Sequence, residues 1–221
     1  MIAHMRIRRG LLAVTLAASL GIIWAQEALA SQTIVIPVSQ WAYANSLNFN
    51  NGATTDAFIG PGDPSPGATI MRVGNDTTGN LYRGFMRFQL TNVSGQILSV
   101  KLLGRVDHTW ACTARPNYFY RTAAIAATPR QTWPGPALLV PLGSESLNAN
   151  EASCFQPNMS FELSSATLHN DVQAAVAAQQ PAYFVGVSAR DSAGSGESAS
   201  DRWMRYFLND FRLQITFEPT A

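Results

Sequence analysis

The chain has 221 residues, with 15 Lys and Arg against 14 Asp and Glu, a formal net charge of +1 and 47% hydrophobic residues. That near-neutral balance excludes the strongly basic surfaces on which nucleic-acid binding and attraction to anionic membranes depend. Length and hydrophobic fraction suit one globular domain with a sizeable core.

Residues 1–30 read as an export signal. Arg6, Arg8 and Arg9 make a positive start, residues 11–25 (LLAVTLAASLGIIWA) are apolar, and Ala28-Leu29-Ala30 offers a small-x-small cleavage pattern. The apolar run is shorter than the roughly 20 residues a membrane span needs, so cleavage is expected. Arg8-Arg9-Gly10-Leu11-Leu12 also fits a loose twin-arginine pattern. The expected product, 31–221, is a single domain working in the periplasm or outside the cell. Losing three Arg and one Glu takes Lys+Arg from 15 to 12 and Asp+Glu from 14 to 13, so the charge moves from +1 to −1. No nucleic-acid partner and no membrane span after cleavage are expected, and the oligomeric state stays open.

Alternation dominates the rest of the chain. Short period-two runs at 34–38, aliphatic and aromatic runs at 70–73 and 83–90, and a long alternating run at 98–110 predict strands. In the long run Leu98, Val100, Leu102, Gly104, Val106, His108 and Trp110 point one way and Ser99, Lys101, Leu103, Arg105, Asp107 and Thr109 the other. Further strands are expected at 159–163, 183–189 and 211–217. One short helix is predicted between the first two of these: Ser164 or Ser165 caps it, and Leu168, Val172 and Val176 recur every four residues before Pro181. Residues 48–66, 75–80 and 192–200 carry the Asn, Gly, Asp, Pro and Ser of loops. The expected fold is all-β, an antiparallel β-sandwich of jelly-roll type with one short helix.

Cys112 and Cys154 are the only two cysteines. In an exported chain an isolated pair reads most simply as a disulfide. Free or metal-binding thiols are the alternative, but His108, the nearest histidine, completes no familiar zinc spacing.

Several stretches carry a resemblance. Met71-Arg72-Val73-Gly74 and Tyr82-Arg83-Gly84-Phe85-Met86-Arg87-Phe88-Gln89-Leu90 are followed by His108-Thr109-Trp110-Ala111-Cys112-Thr113-Ala114-Arg115-Pro116, Tyr120-Arg121-Thr122 and Thr132-Trp133. Ser160-Phe161-Glu162-Leu163-Ser164-Ser165, Asp171-Val172-Gln173-Ala174-Ala175, Trp203-Met204-Arg205-Tyr206-Phe207 and Leu213-Gln214-Ile215-Thr216-Phe217 come after them. This ordered series, from about 70 to 217, resembles DNRLRE-type domains of exported bacterial proteins. The resemblance implies a non-catalytic β-sandwich related to carbohydrate-binding modules. The opening of the domain, with Trp41-Ala42-Tyr43-Ala44 and Asn48-Phe49-Asn50-Asn51-Gly52, departs from that family's usual start.

Aromatic side chains carry the binding expectation, because flat rings stack on the apolar faces of sugars while polar neighbours take the hydroxyls. Trp41, Tyr43, Tyr118, Tyr120, Trp133 and Trp203 are the candidate ligand-binding residues; Trp110 and the strand phenylalanines are assigned to the core. Arg83 and Arg87 share one strand face. They read either as a clamp for an acidic sugar or as structural partners of Asp107, Glu162 or Asp201. Structural calcium has candidate ligands in Asn50, Asn51, Asp56, Asp63 and Asp76, whose spacing is not that of an EF-hand.

No catalytic motif stands out. There is no Gly-x-Ser-x-Gly elbow, His-Glu-x-x-His pair or Gly-rich phosphate loop. His108 and His169 read as packed or solvated, and Asp107 and Glu162 are the strand-borne acids that paired-carboxylate chemistry would use. The functional expectation is a secreted carbohydrate-binding or cell-surface adhesion module with a polysaccharide or surface glycan as partner. The alternatives are a structural, protein-binding envelope component and a small polysaccharide-active enzyme.

Overall fold

The computed structural model describes residues 30–46, 57–60, 70–125 and 133–219. The expected export signal therefore lies outside the described residues except for Ala30, as do Asn50, Asn51, Asp56 and Asp63 among the calcium candidates. The strands are β1 (Gln32–Asn45), β2 (Ala57–Gly60), β3 (Ile70–Asn75), β4 (Leu81–Gln89), β5 (Gln96–Thr109), β6 (Arg115–Thr122), β7 (Leu138–Leu147), β8 (Met159–Leu163), β9 (Ala182–Ser188), β10 (Met204–Phe207) and β11 (Arg212–Glu218). Helix α1 (Glu151–Cys154) lies between β7 and β8, and α2 (Ala166–Ala177) between β8 and β9. The all-β class holds, with two helices where the sequence predicts one.

Every strand pairing is antiparallel. Two strands change partners along their length. β1 pairs with β11 up to Pro37 and with β4 from Val38 onward; proline, lacking an N–H, suits the crossover. β3 pairs with β10 up to Val73 and with β4 from Gly74. Gly74 has φ +89°, and a Cβ there would lie 2.7 Å from the Arg202 carbonyl oxygen, so the corner requires glycine. These two corners close the path β1–β11–β5–β10–β3–β4 and back to β1 into a six-strand barrel, the main departure from the open sandwich expected. Alternation reports which residues share a face, not where a strand turns from one sheet into the next. β9, β6 and β7 extend the sheet beyond β4, and β8 pairs with β5.

Inside, Phe119, Phe161, Tyr206 and Phe211 form an aromatic cluster with ring centroids 5.4–6.0 Å apart. Gly104 makes room for it, since a Cβ there would sit 2.5 Å from the Phe161 ring. Each such buried ring stabilises the fold by about 1.5–3 kcal/mol. The one polar group among them, the Tyr206 hydroxyl, accepts from Asn117 Nδ2 at 2.9 Å.

The helix cap is Ser165, whose Oγ accepts from the Leu168 N–H at 3.0 Å. Leu168, Val172, Ala175 and Val176 of α2 are buried. His169 Nε2 bonds the Ile97 carbonyl oxygen at 3.1 Å and Gln173 Oε1 accepts from the Ile97 N–H at 2.7 Å, so His169 ties α2 to β5.

β5 corrects the predicted facing of its ends. From Val100 to Val106 the alternation holds. Register shifts opposite Phe217 and Tyr206 then change its phase, burying Ile97 instead of Leu98 at one end and Thr109 instead of His108 and Trp110 at the other. Trp110, assigned to the core from the sequence, is 53% exposed.

Candidate functional site

The six candidate aromatics occupy three places. Trp41 and Tyr43 lie on the main-core side of the β1–β4 sheet, stacked at 6.1 Å, with Trp41 buried and Tyr43 packed against Tyr82 at 6.4 Å. Trp203 is half-buried, its ring edge-on to His108 at 5.9 Å and its indole nitrogen enclosed. Tyr118, Tyr120 and Trp133 lie on the opposite face of the sheet formed by β4, β9 and β6, without contact shown among them.

That outer face has its own small core of Ala42, Ala44, Phe85 and Ile125, against which Trp133, Leu138 and Phe184 pack. The β6–β7 connection reaches it through Trp133, Pro134 and Gly135. Gly135 has φ +84°, and a Cβ there would lie 2.4 Å from the Phe85 ring. Trp133 lies 4.8 Å from the guanidinium of Arg83, a cation–π distance. Arg83 is itself buried and holds Glu197 through Nε and Nη2 at 2.5 and 2.7 Å, while Nη1 donates to the Pro134 carbonyl. Ser188 Oγ also donates to Glu197, at 3.2 Å. Arg83 is thus a structural partner, as one of its two expected roles had it, but its partner is Glu197, 114 residues away, and not Asp107, Glu162 or Asp201. Asp107, Glu162 and Asp201 pair instead with Arg205, Lys101 and Arg115.

Beside this pair lies a cavity of about 210 Å³ lined by Arg83, Tyr120, Leu138, Arg190, Asp191 and Ser192. The Tyr120 hydroxyl donates to the Arg190 carbonyl at 2.6 Å, and burial pushes its pKa up to about 12, so it remains a donor throughout the physiological range. Arg202 covers Tyr118, its guanidinium 5.8 Å from the ring, and donates to the Ala189 carbonyl at 3.0 Å. The cavity joins one aromatic wall to fixed positive and negative groups. None of Arg190, Asp191, Ser192 and Glu197 was singled out from the sequence: they sit in or beside a Gly/Ser-rich stretch that has no periodicity to read.

The predicted disulfide is present, and beside it lie exposed aromatics that were not predicted. The bond between Cys112 and Cys154 joins two segments 42 residues apart, with Cα atoms 5.5 Å from one another, a usual disulfide separation. These segments hold the two most prominent exposed aromatics, Trp110 at 53% and Phe155 at 91%. Phe155 caps α1 in the left-handed region (φ 56°), a conformation costing about 1–2 kcal/mol for a residue with a Cβ. Around them Asn150 Nδ2 donates to the Thr109 and Trp110 carbonyls, and Gln156 Nε2 to that of Cys112. Thr109 Oγ1 donates to the Ala111 carbonyl, and the Trp110 N–H bonds the Trp203 carbonyl. A signal existed in hindsight: an aromatic within two residues of each cysteine.

The strand-borne acids are occupied. Asp107 pairs with Arg205 at 2.7 Å and Glu162 with Lys101 at 2.8 Å. Burial, then Arg205, holds His108 below the usual imidazole range. Glu145 is pushed up by burial and by Glu162. Burial likewise pushes Asp76 up, but donation from Thr78 and Asn80 outweighs it and holds the carboxyl below its ordinary value. Asp76 accepts from both Thr78 and Asn80 and from the Tyr82 hydroxyl, so this calcium candidate serves as the hub of a turn. Among the described residues no group of three or more His, Cys, Asp and Glu could hold a metal ion, and no helix is long and apolar enough to cross a membrane. In comparisons with protein-family models and with curated proteins, the chain matches none.

Proposed function

We propose that this is an exported, non-catalytic carbohydrate-binding or cell-surface adhesion module, a DNRLRE-type domain of jelly-roll descent, and that its glycan site is the cavity beside Tyr120. The observation that carries this reading is the cavity in which Tyr120 lies with Arg83, Arg190 and Asp191, with Trp133 against Arg83 at its edge. Ring faces beside fixed charged donors and acceptors are what a sugar unit requires, with apolar contact for its C–H face and paired polar groups for its hydroxyls. At about 210 Å³ the cavity is smaller than the roughly 300–1,000 Å³ of typical small-molecule sites, which suits a single chain-end sugar. Arg190 adds a bidentate donor for a carboxylate on that sugar.

The test is a panel of neutral and acidic polysaccharides, in affinity electrophoresis and calorimetry, with and without calcium. Retention by at least one glycan is expected, weakened roughly ten-fold or more by Arg190→Ala or Tyr120→Phe, each loss being that of a hydrogen bond to a charged or buried group. No retention on any glycan, or retention indifferent to both variants, sinks the assignment.

A further inference from the structure

Among the described residues β7 is the last strand of its sheet and pairs with β6 alone. Its Glu145 stands directly opposite Asn117 of β6, so the two side chains share one face. That face is the one toward the aromatic core: Asn117 is fully buried, and its Nδ2 donates to the Tyr206 hydroxyl at 2.9 Å. The hydroxyl in turn donates to the Met204 sulfur at 3.4 Å, so its proton is already engaged. Asn117 Oδ1 is left buried with no hydrogen-bond partner. A buried acceptor without a donor is destabilising. Glu145 is the neighbour across the strand that can supply one, once its carboxyl carries a proton.

We propose that Glu145 and Asn117 form a proton-operated latch, in which the protonated Glu145 carboxyl donates to Asn117 Oδ1 and fastens the edge strand β7 to the core. The surroundings of Glu145 favour the proton. Burial, then the Glu162 carboxylate on β8, pushes its pKa above the ordinary value. The cations of the neighbouring strands are engaged elsewhere: Arg115 and Arg121 of β6 pair with Asp201 and Asp171, Arg205 of β10 with Asp107, and Lys101 of β5 with Glu162. On α2, which also packs against β7, His169 bonds the Ile97 carbonyl and Asp171 accepts from the Tyr183 hydroxyl. Burial pushes the Tyr206 hydroxyl well above its ordinary range, so it stays neutral. Glu145 binds its proton more tightly folded than unfolded. The latch is therefore complete below about pH 4, the unfolded value, and opens as the pH rises through the folded one. Its sign is opposite to that of Asp76, whose carboxyl is held below its ordinary value. The latch lies on the core side of the sheet and does not depend on the glycan assignment.

The experiment compares the full chain with Glu145→Gln and Glu145→Ala in urea unfolding from about pH 4 to about pH 8, a range that brackets a raised carboxyl pKa. The amide of Glu145→Gln can donate to Asn117 Oδ1 at every pH, whereas Glu145→Ala never can. At the upper end Glu145→Gln is expected to unfold with an equilibrium constant roughly ten-fold below the parent's, the worth of one buried hydrogen bond. That gap closes toward the lower end, while the parent's advantage over Glu145→Ala grows. The Asp76 contribution is common to all three chains and cancels. In the parent, the Asn117 side-chain amide signals in NMR should shift with the same midpoint as the Glu145 carboxyl, a reading that stands even where a variant fails to fold. The proposal is overturned by a gap between Glu145→Gln and parent that is the same at both ends, or by Asn117 signals indifferent to the titration of Glu145. A parent more stable than Glu145→Gln at the upper end also overturns it, since the ionised carboxylate would then be accepting from an Asn117 amide turned the other way about.

Discussion

The outer-face cavity and the disulfide-tied tip both display aromatic residues in connecting segments, yet they bury them in opposite ways. Around the cavity, Trp133 is drawn down onto Phe85 and Ala44 and lies against Arg83, whose charge is answered by Glu197. At the tip, Trp110 and Phe155 stay in solvent while the polar backbone beneath them is closed off. The first region has exposed charge over enclosed rings; the second has exposed rings over enclosed polar groups. The difference is one of surface character, charged groups beside covered rings against rings left in solvent. It also separates two sources of stability, a buried ion pair against a covalent crosslink.

Breaking each region in turn sharpens that contrast. The largest effect is expected from Glu197→Ala, which leaves the Arg83 guanidinium buried and unpaired and should cost about 3–5 kcal/mol in a urea or thermal unfolding curve. A loss under about 1 kcal/mol would show that water reaches Arg83 and that the outer face is open. Reduction of Cys112–Cys154 comes next. Freeing its 42-residue separation should lower stability by about 2–4 kcal/mol, measured by unfolding with and without reductant.

A smaller effect is expected from acid at the β3–β4 turn. The Asp76 carboxyl is held below its ordinary value in the folded protein, so its contribution is complete above about pH 4, the unfolded value, and is lost as the pH falls through the folded one. Unfolding midpoints compared at neutral and acid pH should show this loss for the parent chain and a flatter profile for Asp76→Asn. The smallest effect belongs to the tip: the double change Trp110→Ser and Phe155→Ser should alter stability by no more than about 0.5 kcal/mol, as expected for exposed positions. A large destabilisation there would mean that the two rings serve the fold.

Much of the local structure was legible in the residues. Ser165 followed by Leu168, Val172 and Val176 located α2 and its cap, and the centre of β5 alternates as its sequence does. The pairing of Cys112 with Cys154 followed from their being the only two cysteines of the sequence. β6 and β7 were not read as strands, because Tyr118, Phe119 and Tyr120 are consecutive aromatics and β7 is interrupted by Pro141 and Gly143. Both strands are irregular where they pair, with register shifts at Phe119/Tyr120 and Arg121/Thr122. Trp110 was misplaced for a related reason: one bulge in β5 reverses every facing beyond it, and a bulge leaves no mark in a period-two pattern.

The site divides along the same line. Tyr118, Tyr120 and Trp133 were named from residue type alone, and strand spacing put Arg83 and Arg87 on one strand face. The meeting of Arg83 and Tyr120 with Glu197, Arg190 and Asp191 depends on chain segments far apart in sequence, which no local pattern encodes. By itself the sequence determined the all-β class, the short helix α2, the crosslink and the near-absence of net charge, because each follows from residue type or short-range periodicity. Tertiary structure decided where β1 and β3 turn the corners of a closed barrel, which aromatics are covered, and which are held out at the tip. Those outcomes depend on what packs above each face, and contacts between distant segments are set only when the sheets close.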